Sequence, residues 1–100
     1  MITKINVQEA KDLILKNKSK SDFVILDVRT MEEYNEEHIP SALNIDIRRD
    51  DFDEEIAKLN RKKTYLVHCH SGQRSSRAVE LMEEWGFTKL YNVVGLLFGH

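Results

Sequence analysis

The sequence predicts an α/β fold in which helices cover both faces of a small parallel sheet. Residues 22–28 and 64–68 form two apolar runs without polar alternation, which is typical of strands buried on both faces. Segments with apolar residues at helical spacing lie before, between and after these runs. This alternation favours parallel pairing, and parallel sheets bind ligands beyond the carboxyl ends of their strands.

The composition of the chain limits its function classes. It has 100 residues, and 15 Lys and Arg against 17 Asp and Glu give a net charge of -2. Because the two signs are interspersed and no linker-like stretch occurs, we expect one domain over residues 1–100 and no nucleic-acid partner. The first residues lack the apolar segment of a signal peptide, and no apolar run could span a bilayer. We therefore expect no membrane partner and a cytoplasmic location.

The first predicted elements are a helix and a buried strand. Asn6 and Glu9 have the spacing of a capping box, which predicts a helix that starts after Asn6. We expect this helix over residues 7–17, with apolar positions at Val7, Ala10, Leu13 and Ile14. The apolar run at 22–28 follows, and we expect it to be the central strand of the sheet.

Two further helices and a short strand are predicted in the middle of the chain. Thr30 and Glu33 form a second capping-box pattern, and Pro40 limits the helix that they begin to about residue 37. Residues 42–45 are predicted to form a short strand. An acidic helix start follows within residues 48–59, with an apolar face at Phe52, Ile56 and Leu59.

The last third of the chain contains the clearest helical pattern. After the strand at 64–68, apolar residues recur at helical spacing at Ala78, Leu81, Met82 and Trp85. Gly86 has the position of a residue that ends a helix in the left-handed conformation. Residues 89–93 predict a last strand, and residues 95–100 form a short apolar tail.

Cys69, the only cysteine of the chain, lies between the strand at 64–68 and this last helix. Backbone N–H groups of residues 70–75 can curl around its sulfur, and the helix N-terminus adds positive potential. Gly72 is free to adopt the positive φ that a tight turn needs. Such a loop binds anions and lowers the pKa of a thiol. We therefore expect Cys69 to be reactive.

Other roles for these residues stay open from the residues alone. Free cysteines are frequently buried and inert. His68 and His70 flank Cys69, but adjacent strand residues point in opposite directions and no further Cys–His cluster completes a tetrahedral shell, so we expect no metal and no cofactor. His38 is the one candidate for a papain-like base, although a loop residue that satisfies backbone groups near Pro40 is the preferred interpretation.

Two separate motifs resemble those of a known family. Residues 26–45, LDVRTMEEYNEEHIPSALNI, and residues 67–87, VHCHSGQRSSRAVELMEEWGF, are similar to the two hallmarks of single-domain rhodaneses, D-V-R…E-Y…H-I-P-x-A-x-N and C-x-x-G-x-R-S. The resemblance covers most of the chain. It implies a rhodanese-like three-layer α/β/α fold with a small central parallel sheet, and thiosulfate sulfurtransferase-like activity.

The resemblance also implies roles for individual residues. Cys69 would be the nucleophile that accepts the sulfur. Asp27 and Arg29 match the D-V-R sequence near the active-site loop, either with a direct role or as a structural ion pair. The loop that holds the persulfide through its amides would consist of His70, Ser71, Gly72, Gln73 and Arg74.

The implied reaction is covalent ping-pong sulfur transfer. The Cys69 thiolate would attack the outer sulfur of a small-molecule donor such as thiosulfate, release sulfite and become a persulfide. A small-molecule acceptor, cyanide or a thiol, would then remove the sulfur. Sulfur-relay proteins are alternative partners.

The chain departs from the family pattern at three places. Glu37 and Ser41 replace the glycines of G-H-I-P-G-A. The terminal G-G-I-x-x-W appears as residues 94–99, where Leu97 and Phe98 are expected to replace the tryptophan in packing a C-terminal helix. His68, before the cysteine, is similar to the H-C-x5-R signature of phosphatases.

Two other function classes stay open. The family shares its fold with cell-cycle dual-specificity phosphatases and arsenate reductases, so the fold does not decide the reaction. Those phosphatases place five residues between cysteine and arginine, whereas Cys69 and Arg74 enclose four. Non-catalytic rhodanese-like modules that bind or regulate partners typically lack the cysteine. A sulfur carrier that acts on protein partners is a related interpretation.

Overall fold

A computed structural model describes residues 1–98, which form a five-stranded sheet between two layers of helices. The strands are β1 (Ile2–Asn6), β2 (Phe23–Asp27), β3 (Leu43–Asn44), β4 (Thr64–His68) and β5 (Lys89–Val94). The helices are α1 (Val7–Lys16), α2 (Met31–Glu36), α3 (Phe52–Ala57) and α4 (Gln73–Glu84). All strand pairs are parallel, in the order β1-β5-β4-β2-β3. The predicted three-layer α/β/α fold is confirmed.

β1 is an element that the sequence pattern did not predict. It is an edge strand beside β5, and Ile5 is its one buried residue, so it lacks the continuous apolar run of an interior strand. With β1 and β5 on one side, the middle of the sheet is β4, and β2 lies next to it. The prediction that residues 22–28 form the central strand is therefore wrong, because a run buried on both faces does not distinguish neighbouring interior strands.

The capping boxes predicted for the first two helices are present. Asn6 accepts the N–H of Glu9, and Glu9 in turn accepts the N–H of Asn6. Thr30 and Glu33 make the same reciprocal pair at the start of α2. Each pair satisfies two N–H groups that a helix start leaves without a partner, which fixes where the chain turns from strand to helix.

Strand side chains alternate between two hydrophobic cores, one on each face of the sheet. Along β4, Tyr65 and Val67 join the core with Met82 of α4, whereas Leu66 joins the core with Ala10 of α1. Cys69 continues this alternation on the α3–α4 face. Among the helices of residues 1–98, none combines the length and apolar character that a membrane crossing requires.

The end of the chain differs from the prediction in two ways. Gly86 has the predicted left-handed conformation, with φ of 95°, but Trp85 before it is 41% exposed and lies outside the core. Residues 95–98 form no helix, although Leu97 and Phe98 are buried, so they pack as an irregular segment. The predicted tail also included Gly99 and His100, which lie outside the described residues.

Candidate active site

β4 delivers Cys69 to the carboxyl edge of the sheet, where a short loop leads into α4. The N-cap of α4 is Gly72, which has φ of 106°. A Cβ atom there would lie 3.2 Å from both the carbonyl oxygen of Val93 and the Cα of Val94. The loop therefore needs glycine for its backbone conformation and for its close packing on β5. His70 and Ser71 are exposed at the loop surface, whereas Cys69 is 1% exposed.

The Cys69 sulfur is held by hydrogen bonds from the start of α4. It accepts the N–H of Gly72 at 3.1 Å and the N–H of Ser75 at 3.3 Å. The Ser75 hydroxyl lies 3.4 Å from the sulfur and 2.5 Å from Oδ1 of Asn92. Because this hydroxyl carries one proton, it donates to Asn92 while it accepts the thiol S–H. A thiolate has no proton to donate, so the hydroxyl can then donate to the sulfur instead.

These contacts favour the thiolate. Burial by itself would raise the pKa of Cys69. The Ser75 hydroxyl and the backbone N–H groups of Ser75, Gly72 and Ser71 outweigh burial, so the pKa of the thiol lies below its ordinary value. Hydrogen bonds to the charged form therefore decide the direction of the shift.

Arg74 forms an ion pair that connects helices α2 and α4. Its Nη1 and Nη2 atoms donate to the two carboxylate oxygens of Glu33 at 2.7 and 3.1 Å. The Arg74 hydrogen bond, with help from Thr30, lowers the pKa of Glu33 to about 2. Both groups are thus charged at neutral pH, and the pair joins α2 to α4 over the active-site edge of the sheet.

Asp27 and Arg29 form a buried ion pair at the end of β2. The Arg29 side chain donates to both carboxylate oxygens of Asp27, at 2.9 Å from Nε to Oδ1 and 2.7 Å from Nη2 to Oδ2. Arg29 also donates to the carbonyl of Glu37 and lies 4.5 Å from the centre of the Phe98 ring. Asp27 also lies 3.8 Å from the His68 ring, and among residues 1–98 no hydrogen bond joins the pair to the Cys69 sulfur.

The two histidines beside Cys69 lie in different environments. His70 is exposed, whereas His68 is fully buried on the α1–α2 face, with Nε2 3.8 Å from Oδ2 of Asp27. Neither ring nitrogen of His68 has a hydrogen-bond partner among the described residues. Burial lowers the pKa of His68 despite the neighbouring Asp27 carboxylate, so the ring is neutral at pH 7.

His38 lies just after α2 and contacts Tyr34 of that helix. Its Nδ1 is 2.7 Å from the carbonyl oxygen of Tyr34, and its ring stacks on the Tyr34 ring at 3.8 Å. The papain-like pairing with Cys69 has no support in these contacts. His38 instead satisfies a backbone group near Pro40, which is the preferred interpretation from the sequence.

Three side chains at the site were not among the predicted site groups, although the N–H of Ser75 belongs to the predicted ring of residues 70–75. Glu33 and Ser75 both stand inside the two quoted motifs, so the motifs contained a signal for them. Asn92 lies in β5, outside both motifs, and only its polar side chain in a buried strand marks it. The predicted loop residues His70 and Gln73 are exposed, and no hydrogen bond from either reaches the sulfur among residues 1–98.

Comparisons with known proteins agree with this architecture. The family model of the Rhodanese-like domain matches residues 6–97. The chain is 34% identical over 95 residues to "Thiosulfate sulfurtransferase GlpE" of Coxiella burnetii, which covers 95% of this chain and 83% of that protein. It is 40% identical over 70 residues to "Putative sulfur carrier protein YrkF" of Bacillus subtilis, which covers 70% of this chain and 37% of that protein.

A solved structure gives the same result. The crystal structure of a Rhodanese-like Domain Protein from Staphylococcus aureus matches with a TM-score of 0.79 and 30% identity, covering 95% of this chain and 87% of that one. Homology with a named thiosulfate sulfurtransferase over most of the chain confirms the predicted enzyme class. Both motifs and the fold around them thus lead to one assignment: the chain belongs to the rhodanese-like domain family.

Proposed function

We propose that this protein moves a sulfane sulfur from a donor such as thiosulfate to cyanide or a thiol through a persulfide on Cys69. The observation that carries the proposal is the setting of the sulfur, which accepts two backbone N–H groups at 3.1 and 3.3 Å. A buried sulfur with such donors is stabilised as an anion, both as thiolate and as persulfide. The similarity to GlpE supports the reaction class.

The first half-reaction forms the persulfide. The Cys69 thiolate attacks the outer sulfur of thiosulfate, a new S–S bond forms, and the S–S bond of the donor breaks. Sulfite leaves with the electron pair of that bond. In the second half-reaction the acceptor attacks the outer sulfur, and Cys69 leaves as a thiolate. A low thiol pKa raises the fraction of attacking thiolate in the first half-reaction. It also makes Cys69 a better leaving group in the second, since a weaker base departs more readily.

In this proposal, backbone N–H groups rather than a free cation stabilise the negative charge of the thiolate and the persulfide. Glu33 offsets the charge of Arg74, so Arg74 contributes mainly by fixing the start of α4. The loop from His70 to Arg74 would hold the outer sulfur through its amides, with the positive end of α4 behind it. Asp27 and Arg29 would support the end of β2 without touching substrate.

Either a small molecule or a sulfur-relay protein can serve as the acceptor in this proposal. His70 and Ser71 are exposed beside the buried sulfur, so a persulfide would extend toward solvent where either acceptor can approach. Similarity to a protein named as a putative sulfur carrier favours including sulfur-relay proteins among the partners.

Steady-state sulfur transfer from thiosulfate to cyanide tests the proposal. Wild-type protein should form thiocyanate with ping-pong kinetics, and Cys69→Ser should abolish it while leaving the fold intact. Hydrolysis of an aryl phosphate should be negligible in both. Faster phosphate hydrolysis than sulfur transfer, lost in Cys69→Ser, would replace the proposal with the phosphatase alternative.

A further inference from the structure

A second concave site lies at the other end of the sheet from Cys69. A groove of about 630 Å³ opens between the end of α1, the first half of β2 and the segment before β3. Its apolar wall includes Ile14, Leu15, Phe23 and Ile39. The volume is within the range of about 300–1,000 Å³ in which small-molecule sites fall.

The fold leaves this groove because the helices do not fully cover the sheet. α2 has only 6 residues, and the chain then passes through Ile39 and Pro40 to reach β3. Among residues 1–98, the groove lies between this passage and the end of α1, on the part of the sheet formed by Phe23, Val24 and Ile25. Leu15 of α1 is 70% exposed there, although it borders an apolar surface.

The charge at the rim is positive. Lys18 and Lys20 line the groove, and its lining contains no acidic residue in the described part of the chain. Within residues 1–98, neither lysine forms an ion pair. Because the chain as a whole has a net charge of -2, this cationic rim is local, and an anion is the complementary ligand.

Backbone strain occurs at the same groove. Ser41, with φ of 70°, is the non-glycine residue with positive φ in the described part of the chain, and it lines the groove. A left-handed conformation is strained for a residue other than glycine, and such strained residues occur in turns and at ligand sites. Ser41 belongs to the wall formed by the segment before β3.

We propose that this groove binds a small amphipathic anion. The apolar body of the ligand packs on Ile14, Phe23 and Ile39, and its single carboxylate or sulfonate group pairs with Lys18 and Lys20. The site is separate from sulfur transfer, because the groove lies at the amino end of β2 whereas Cys69 follows the carboxyl end of β4. A strand of 5 residues separates these ends by roughly 15 Å.

The test uses two probes and amide chemical-shift mapping of the full chain. The anionic probe is 8-anilinonaphthalene-1-sulfonate, and the neutral one is N-phenyl-1-naphthylamine, which has the same apolar body without the sulfonate. The anionic probe should bind saturably with one site per chain. Its shifts should fall on residues 14–25 and 39–41 and leave residues 69–75 unchanged. The neutral probe should bind at least tenfold more weakly.

Charge and apolar contact are tested by separate variants. Lys18→Glu/Lys20→Glu should weaken the anionic probe at least tenfold, whereas Lys62→Glu/Lys89→Glu makes the same charge change at exposed positions elsewhere and should not. Leu15→Glu should weaken binding more than Leu15→Gln, and the exposure of Leu15 makes both compatible with folding.

Several results would overturn the proposal. These are the absence of saturable binding, shifts confined to residues 69–75, equal affinity for the two probes, and equal weakening in the two lysine double variants. Groove resonances that broaden with protein concentration as the chain dimerises would instead assign the groove to a second copy. None of these outcomes depends on sulfur transfer, so Cys69→Ser should bind the anionic probe as the wild type does.

Discussion

At the residue scale, the reactivity of Cys69 depends on which groups surround its sulfur. The sequence indicated an anion-binding loop, because a glycine-containing turn between a strand and a helix gathers N–H groups. It did not indicate that the Ser75 hydroxyl would contact the sulfur, or that this hydroxyl would also be hydrogen-bonded to Asn92. Asn92 comes from β5, and only the tertiary fold brings it to the loop.

The first prediction concerns Ser75→Ala, which removes the hydroxyl and keeps the backbone N–H at the sulfur. The pKa of Cys69 should rise by about one unit, since a hydrogen bond to a charged group is worth about 1.5–3 kcal/mol. The rate of iodoacetamide alkylation against pH measures it. The wild-type midpoint should lie below the free-cysteine value of about 8.5. Ser76→Ala is the control, and the idea fails if both variants have the wild-type midpoint.

The second prediction concerns the Glu33–Arg74 pair and acid. The folded-state pKa of Glu33 is lowered from 4.5 to about 2, so its stabilising contribution is fully present above pH 4.5 and is lost as pH falls toward 2. Glu33→Gln should lower the free energy of unfolding at pH 7 by about 1 kcal/mol, because the pair is partly screened by water. Glutamine keeps an acceptor for Thr30.

Urea unfolding of both proteins between pH 7 and pH 3 measures this effect. The difference in unfolding free energy should be constant down to about pH 5 and shrink below it. A difference that stays unchanged at pH 3 would show that the carboxylate charge does not stabilise the fold. Glu32→Gln, an exposed neighbour in α2, is the matched control.

At the element scale, local sequence patterns predicted the helices better than the edge strand β1 and the segment after β5. Capping boxes at Asn6 and Thr30 mark two helix starts correctly, because they depend on residues three apart. β1 escaped prediction because an exposed edge strand needs no apolar run, and its partner β5 is distant in sequence. The segment after β5 packs irregularly, with Phe98 against Arg29, and no periodic pattern encodes such a contact.

The third prediction tests the loop that begins α4. Gly72→Ala should reduce sulfur transfer strongly and raise the pKa of Cys69, because the added methyl group would displace an N–H donor from the sulfur. Gly86→Ala is a matched control. Gly86 also has positive φ, at 95°, but its added Cβ would meet only the Arg61 side chain at 3.5 Å.

Both variants should lose about 1–2 kcal/mol of stability from the backbone conformation, as urea unfolding would show. The variants should differ in activity: thiocyanate formation should fall in Gly72→Ala and stay near wild type in Gly86→Ala. Equal activity in the two variants would show that sulfur transfer does not depend on the turn at Gly72.

At the scale of the whole molecule, the parallel sheet brings two distant motifs to one edge. Arg74 and Glu33 are 41 residues apart in sequence, yet they meet because β2 and β4 are neighbours that point the same way. The order of motifs therefore predicted the fold class and the active-site edge. The order of the strands in the sheet could not be predicted from the sequence, since an apolar run does not specify which strands lie beside it.

The fourth prediction is that loop size determines the reaction. Inserting one glycine between Gly72 and Gln73 should widen the ring of donors and weaken sulfur transfer at least tenfold, because N–H groups stabilise charge only near 3 Å. Inserting a glycine between Lys62 and Lys63, in an exposed turn away from the site, is the control. Sulfur transfer at the wild-type rate in the Gly72–Gln73 insertion would show that loop size does not select the reaction.

The most direct test of the account is the intact mass of the protein after incubation with thiosulfate and removal of the excess. Wild-type protein should gain the mass of one sulfur atom, and cyanide should return it to its original mass as thiocyanate appears. Cys69→Ser should gain nothing. A sulfur atom that persists in Cys69→Ser, or a wild-type protein that never gains one, would contradict the claim that Cys69 carries the transferred sulfur.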